Sequence, residues 1–279
     1  MELKGILHTH SSYSYDAKMS LAELRSFFIA NGLQFACMTE HTDALTHEQA
    51  QDFVAECEKF SDDTFRFIPG FEVPYKVNVA DKEGALGHHH AHILMIGMRA
   101  FHDAYASNIS VLQKWTQESP FVVLAHPVRN NFEVDDLLLA EIDALEVWNQ
   151  QYEGKRVPRI QSLKLLKLLR EKKPTLLATG GVDFHRREHI GSPVVTLTVD
   201  ACTEESILAQ LTIGAFTISS SHAQFSATLP NIDTHIHAYR IESYVSVGII
   251  TLGKLVNKTL ASVHISLPKS WKQIVRRRL

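Results

Sequence analysis

Cysteine is scarce: Cys37, Cys57 and Cys202 stand far apart, odd in number and without a C-x-x-C pair. This excludes a disulfide framework and a thiolate zinc knot, and it fits a reducing, cytoplasmic setting. Excess basic charge is also missing. The formal net charge is −3 over 279 residues, so no overall positive field marks a dedicated nucleic-acid binder. Nor is there a long apolar run. Ser243 to Gly253, the longest uncharged stretch near the C-terminus, falls short of the ~20 residues a membrane span needs. The first strand begins too early to leave room for a signal peptide. What the sequence has in plenty is histidine, sixteen in all, and their placement matters more than their number.

Strand-like and helix-like runs alternate. Strands are expected at Lys4–His8, Phe35–Thr39, Phe65–Val73 (broken by Pro69-Gly70), Ile93–Ile96, Phe121–Ala125, Ala144–Trp148, Thr175–Thr179, Val194–Val199 and Ala215–Ser219. Helices are expected at Ser20–Ala30, Thr46–Phe60, Asn108–Glu118, Val134–Ala140, Pro158–Arg170 and Glu204–Leu211. Ser20 with Glu23 reads as a capping box, and Thr46 as a second N-cap. Residues 72–97 read as a hairpin with a polar tip at 81–87, which brings Glu72 and His92 to one end of a sheet. This alternation, without internal repeats, predicts an α/β barrel or an open parallel sheet, with a barrel spanning residues 1–220. Residues 221–279 read as a C-terminal, helical extension packed on it, although Gly248 and Gly253 weaken a helix over the apolar stretch 244–263.

Candidate donors cluster after the strands: His8, His10, Asp16, His41, Glu72, His126, Asp183 and His185, with His92 opening a reversed strand. The C-terminal strand ends are where α/β barrels build active sites. In a strand, residues two apart face the same side, so His8 and His10 can aim two imidazoles into one pocket. Six imidazoles, three carboxylates and no thiolate suit Zn, Mn or Fe at a hydrolytic site. Nine donors exceed the needs of one ion and suit two or three. Ion pairs a few ångströms apart typically serve hydrolysis at phosphorus, clamping the attacking and leaving oxygens.

These residues resemble the PHP (polymerase and histidinol phosphatase) family of metal-dependent phosphoesterases. The matching motifs run in chain order: His8-Thr9-His10 followed by Asp16, Thr39-Glu40-His41, Gly70-Phe71-Glu72, His92, His126-Pro127 and Asp183-Phe184-His185. The resemblance covers residues 1 to about 220 and implies a distorted seven-stranded, TIM-like (β/α) barrel with a trinuclear site. It implies one ion on His8, His10, Glu72 and Asp183, a second on Glu72, His92 and His126, and a third on Asp16, His41 and His185. Glu40 stands where the family more often has Asp and is expected to orient a ligand imidazole.

A hydroxide bridging two such ions is expected to attack phosphorus in line, with Asp183 and His126 in the catalytic set. Arg129 and Arg186, beside expected ligands, and Arg156 are candidates for meeting the phosphoryl charge, and His189 for protonating the leaving group. Glu146 is a candidate for the barrel mouth. His92 is preferred over His90, which shares its parity, while His88 and His89 belong to the hairpin arm. His47, His102, His222 and His264 read as surface or core residues, and His235-Ile236-His237 lacks a surrounding donor motif.

The expected function is a phosphatase for a small phosphomonoester. A phosphodiesterase or 3′–5′ exonuclease is the main alternative, which leaves nucleic acid open as a partner. An amidohydrolase-type barrel and a non-catalytic metal-binding module fit less well. The basic end, Ser270–Leu279, reads first as a solvated face, with membrane-surface or partner docking as the sharper reading.

Overall fold

The computed structural model describes residues 1–76 and 90–262. The chain runs β1 (Glu2–Thr9), α1 (Leu21–Ala30), β2 (Phe35–Met38), β3 (Glu40–His41), α2 (His47–Lys59), β4 (Arg66–Ile68), β5 (Gly70–Lys76), β6 (His90–Ile96), α3 (Ile109–Thr116) and β7 (Phe121–Ala125). It continues through α4 (Asp136–Glu141), β8 (Ala144–Asn149), α5 (Gln150–Glu153), α6 (Ile160–Arg170), β9 (Leu177–Gly181), β10 (Val194–Thr198), α7 (Glu204–Thr212), β11 (Phe216–Ser219), β12 (Gln224–Ser226) and α8 (Ile232–Ser262).

Local chemistry accounts for the early helices. Ser20 Oγ accepts from the Glu23 N–H at 3.3 Å while Glu23 accepts from the Ser20 N–H at 2.9 Å, closing the expected capping box of α1. Thr46 and Gln49 close a second box on α2, at 3.2 and 2.9 Å. Each box satisfies two backbone donors that the first turn leaves unpaired.

The strands form a mixed α/β arrangement of two six-stranded sheets, ordered β12-β11-β10-β1-β2-β4 and β3-β5-β6-β7-β8-β9. The ladders therefore do not close into the single expected seven-stranded ring. The sequence predicts one strand over Phe35–Thr39 ending in Glu40-His41, and one over Phe65–Val73 broken at Pro69-Gly70. The first is divided, with Thr39 separating β2 from β3, and the expected break is present, with Pro69, which has no N–H to give a ladder, separating β4 from β5. At the second break Gly70 has no room for a side chain, because a Cβ would meet Met95 O at 2.5 Å and Met38 O at 2.8 Å.

Further boundaries differ from expectation. β6 begins at His90 rather than Ile93, so His92 lies inside the strand instead of opening it. β9 starts at Leu177, two residues later than expected, and runs through Gly180-Gly181. β12 pairs antiparallel with β11, so the first sheet continues past residue 220. The helix α8 begins at Ile232 and passes through Gly248 and Gly253. Each glycine costs a helix about 1 kcal/mol, and the packing of α8 on α5 and α6 outweighs that. The hairpin tip at 81–87, His88, His89, His264 and the Ser270–Leu279 segment lie outside the described residues.

Aromatic side chains fill the space between the layers. Phe28, Phe184, Trp115 and Trp148 are completely buried, and Phe28 meets Phe184 edge-on at 5.1 Å. That contact packs α1 against the segment carrying Asp183 and His185.

Candidate metal centre

Glu72, on β5, is the hub. It is buried, and His8, His10, His41, His92 and His126 all approach its carboxylate. The antiparallel register of β5 on β6 sets Pro74 opposite His92, so His92 Nδ1 reaches Glu72 Oε1 in a short contact. His126 follows β7, the next strand over, and places Nε2 at 3.1 Å from the same oxygen. The His90 backbone opposes Lys76, two pairs further from Glu72 than His92.

β1 supplies the other side. His8 Nε2 is 3.3 Å from Glu72 Oε2 and 3.5 Å from Asp183 Oδ1, and His10 Nε2 is 3.4 and 3.6 Å from the same two atoms. Simple strand alternation does not produce this convergence. His8 has φ 61°, the pairing of β1 with β2 shifts register between Ile6 and Thr9, and His10 lies beyond the strand end. His126 at φ 24° and Asp183 at φ 52° are also left-handed. Such backbone costs on the order of 1–3 kcal/mol per residue and persists where surrounding structure holds it. Backbone bonds provide that hold: Val182 N–H to Leu7 O and Phe184 N–H to His8 O, each 3.0 Å, and His10 N–H to Phe184 O at 2.9 Å.

A third group lies on the outer side. His185 Nε2 is 3.0 Å from Asp16 Oδ2, His41 Nε2 is 3.5 Å from Asp16 Oδ1, and His41 Nδ1 is 3.1 Å from Glu72 Oε2. The His10 ring stacks between those of His41 and His185, with centroids 4.4 and 4.3 Å away. Among the described residues, donor atoms lie within 4.8 Å of one another in four groups: His8/His10/Glu72, His8/His126/Asp183, Glu72/His92/His126 and His10/His41/His185.

The residues fit a cation. Burial and then the neighbouring His41 lower the His10 pKa to about 3, so its ring is neutral. Ser14 hydroxyl donates to Glu40 at 2.5 Å, and its oxygen therefore accepts from His10 Nδ1–H at 3.3 Å. His10 Nε2 is left as a bare lone pair, buried, without a hydrogen-bond partner and aimed at two carboxylates. That arrangement is repulsive unless positive charge lies between them. Donors 2.0–2.1 Å from a tetrahedral ion stand about 3.3–3.4 Å apart, close to the 3.3–3.6 Å separations of the His8, His10, Glu72 and Asp183 atoms.

Without a cation, protons do the compensating. Burial works to lower the His8 pKa, but Asp183, Glu146 and Glu72 outweigh it and raise it well above normal. His41 is likewise opposed by burial yet pushed up to about 10 by Glu72 and Asp16. Burial works to raise the Glu72 and Asp183 carboxyls, but the surrounding imidazoles hold both well below the usual carboxylate range.

A buried outer layer fixes these donors. Glu146 Oε1 accepts from His8 Nδ1 at 3.0 Å, and Oε2 from the His126 N–H at 2.6 Å and Asn149 Nδ2 at 3.0 Å. Glu40 touches no imidazole and acts through Ser14, whose oxygen also accepts from the His41 N–H at 3.1 Å. Sequence reading did not single out Asn149, Ser14, Tyr15 or Tyr152. Asn149 carried a usable signal, its place at the end of β8. Tyr15 stacks on His41 at 5.0 Å and is 72% exposed, while the half-buried Tyr152 ring lies 5.3 Å from His126.

The candidate cations divide. Arg129, on the turn after His126, is an electrostatic neighbour of Tyr15, His92 and Tyr152. Arg186 is exposed beside His185, and His189 Nδ1 accepts from the His185 N–H at 3.1 Å. Arg156 instead pairs with Glu242 of α8 at 2.9 Å and with His222 at 2.7 Å, so it is held by the extension. His235 bonds Tyr239 at 3.2 Å on α8, apart from the donor groups.

A donor set of buried imidazoles and carboxylates in this mixed fold defines the class of metal-dependent phosphoesterase folds. The chain belongs to the PHP domain family, whose model matches residues 7–181. Solved structures share the fold. PsfC from Pseudomonas syringae PB-5123 is 17% identical with a TM-score of 0.52, over 86% of this chain and 98% of that one. A two-domain protein from Bacteroides vulgatus containing a predicted PHP-like metal-dependent phosphoesterase is 13% identical with a TM-score of 0.54, over 79% of this chain and 65% of that one. The lesion-specific endonuclease Q of Pyrococcus furiosus is 16% identical with a TM-score of 0.50, over 78% of this chain and 58% of that one. This chain thus spans less than two-thirds of the last two. No curated protein sequence matches at a significant level.

Proposed function

We propose that this protein is a phosphatase acting on a small phosphomonoester, with two or three divalent cations (Zn, Mn or Fe) as cofactors. The observation that carries the reading is the convergence of His8, His10, Glu72 and Asp183 around His10 Nε2, a lone pair with no partner of its own. In this reading those four hold one ion, Glu72, His92 and His126 a second, and Asp16, His41 and His185 a third. Bound there, the ions supply Lewis acidity and lower the pKa of water for attack on phosphorus.

The chain's own residues do the rest. Arg129 and Arg186 bind and orient the phosphoryl oxygens at the mouth. His189, tied to the His185 backbone, holds a proton for the departing oxygen. Tyr15 and Tyr152 flank the opening and narrow it around a small substrate. We read residues 1–220 as the catalytic unit and 221–279 as an extension packed on it, which the Arg156–Glu242 pair supports. A seven-stranded barrel results if β2/β3 and β4/β5 count as single strands. The bonds from Val182 and Phe184 to β1 support that reading.

A diesterase is the second reading, since endonuclease Q has been solved with an abasic 27-mer duplex at its active site. The charge favours the monoester: a formal −3 overall repels a polyanionic strand. The test compares turnover of p-nitrophenyl phosphate and nucleoside monophosphates with bis-p-nitrophenyl phosphate and single-stranded DNA, with Mn²⁺ added. Monoester turnover alone is expected. Preferential cleavage of diesters overturns the monoester reading, and no turnover of either class overturns the enzyme reading.

A further inference from the structure

A single exposed aromatic side chain is ordinary on a protein surface. Tyr15 differs in where it is held. Among the described residues it is the most exposed aromatic, at 72%, ahead of Tyr105 and Tyr244 at 48% and 47%. Its ring lies nearly parallel to that of His41, 19° apart with centroids 5.0 Å away. His41 is itself one of the donors: its Nδ1 is 3.1 Å from Glu72 Oε2 and its Nε2 is 3.5 Å from Asp16 Oδ1. One face of Tyr15 therefore rests on the metal centre, and so large an exposed fraction leaves the other face open to solvent.

The turn that carries this ring is anchored on both sides. Ser14, before it, donates to Glu40 at 2.5 Å and accepts from the His41 N–H at 3.1 Å. Asp16, after it, stands 3.0 Å from His185 Nε2. A ring held in this way loses little freedom when a ligand settles on it. Covering His41 accounts for one face only, and an aliphatic side chain would serve for that. The open face is a surface for stacking. The rest of the opening directs a substrate past it. The half-buried Tyr152 ring lies 5.3 Å from His126, and Arg129 is an electrostatic neighbour of both tyrosines. With the phosphoryl oxygens drawn to Arg129 and the donor groups, the part of a monoester that points outward is its leaving group.

We propose that Tyr15 is the specificity-determining residue of this site, stacking on an aromatic ring in the leaving group, which makes aromatic phosphomonoesters the substrate class; this rests on the phosphatase reading above. An aromatic ring laid on Tyr15 covers a face that the fold leaves open. A saturated ring of the same size covers similar area but has no π-face to pair with the tyrosine.

The test compares 2-phenylethyl phosphate with 2-cyclohexylethyl phosphate on the Mn²⁺-loaded full chain. The departing alkoxide is the same type in both, so the difference falls on KM rather than kcat. Calorimetric binding of the corresponding non-hydrolysable phosphonates reads the contact without turnover. The phenyl compounds are expected to show a KM and a Kd about fivefold lower than their cyclohexyl partners, the usual size of an aromatic pairing beyond its area. Tyr15→Phe is expected to keep that ratio and Tyr15→Leu to bring it close to one, with thermal unfolding checking that both variants fold. Equal KM and Kd for the two rings in the unaltered protein overturns the proposal while leaving the phosphatase reading in place. A ratio that persists in Tyr15→Leu, or disappears in Tyr15→Phe, also overturns it. Phenyl-selective phosphonate binding that Tyr15→Leu abolishes, without turnover of either ester, supports the stacking role and overturns the phosphatase reading instead. Neither binding nor turnover of any of the four compounds overturns both.

Discussion

Glu146 lies 3.0 Å from His8 Nδ1, and both side chains are fully buried. An ionised carboxylate only accepts, so this contact puts a proton on Nδ1, and in the neutral ring it leaves Nε2 as the lone pair that would ligate an ion beside Glu72 and Asp183. Glu146 thereby sets the tautomer of a residue at the other end of the chain. Its second oxygen accepts from the His126 N–H and Asn149, so one carboxylate ties two of the donor groups together.

Glu146→Gln keeps the shape but places an NH₂ against a donor, whichever way the amide turns. Metal affinity is expected to fall about 10–100-fold, the usual cost of losing such an outer partner. Competition with a fluorescent chelator measures it, and an unchanged affinity would contradict the tautomer assignment.

Gly181 is the space Glu146 needs. A Cβ there would stand 1.9 Å from Glu146 Oε1 and 2.7 Å from His8 Cβ. Gly181→Ala is expected to cost about 1–3 kcal/mol in stability and to weaken metal binding with it. Thermal unfolding and the same chelator titration should move together.

Loss of the ions should loosen the meeting of β1 with the Asp183 segment. Metal at about 1,000 times its dissociation constant stabilises by about 4 kcal/mol, and a chelator removes that. A clear drop in melting temperature is expected, and one unchanged by chelation counts against the site.

Metal uptake should release protons. In the metal-free protein His41 is pushed to about 10 and so is charged at pH 8, and the His8 pKa is raised in the same direction, whereas a ligating imidazole is neutral. A raised histidine contributes stability that is fully present below its unfolded pKa near 6.5 and is lost as pH rises toward 10. The metal-free form should therefore weaken over that window while apparent metal affinity climbs. Calorimetry in two buffers of different ionisation enthalpy reads the proton count directly.

Asp183→Ala and His126→Ala should each lower turnover more than about 100-fold, exceeding the loss expected for an outer partner. His235→Ala, on the Tyr239 side of α8, should leave turnover unchanged. Steady-state kinetics on one chromogenic monoester checks all three.

The sequence by itself determined which chemistry the chain could carry and roughly where. Residue type is local information, and so is position at a strand end. His8, His41, Glu72, His126 and Asp183 were thus legible as donors, and Ser20 and Thr46 as helix caps. The tertiary structure decided what is non-local. Glu146 and Asn149 matter because β8 lies between β7 and β9, which brings them beside His8, His126 and Asp183. Ser14 matters because the turn after β1 folds over Glu40. The left-handed backbone at His8, His126 and Asp183 runs against intrinsic preference, and contacts distant in sequence hold it. Similarly, α8 passes through two glycines because packing on α5 and α6 outweighs propensity. Local preferences amount to about a kilocalorie per residue, and a buried site is fixed by burial and electrostatic interactions larger than that.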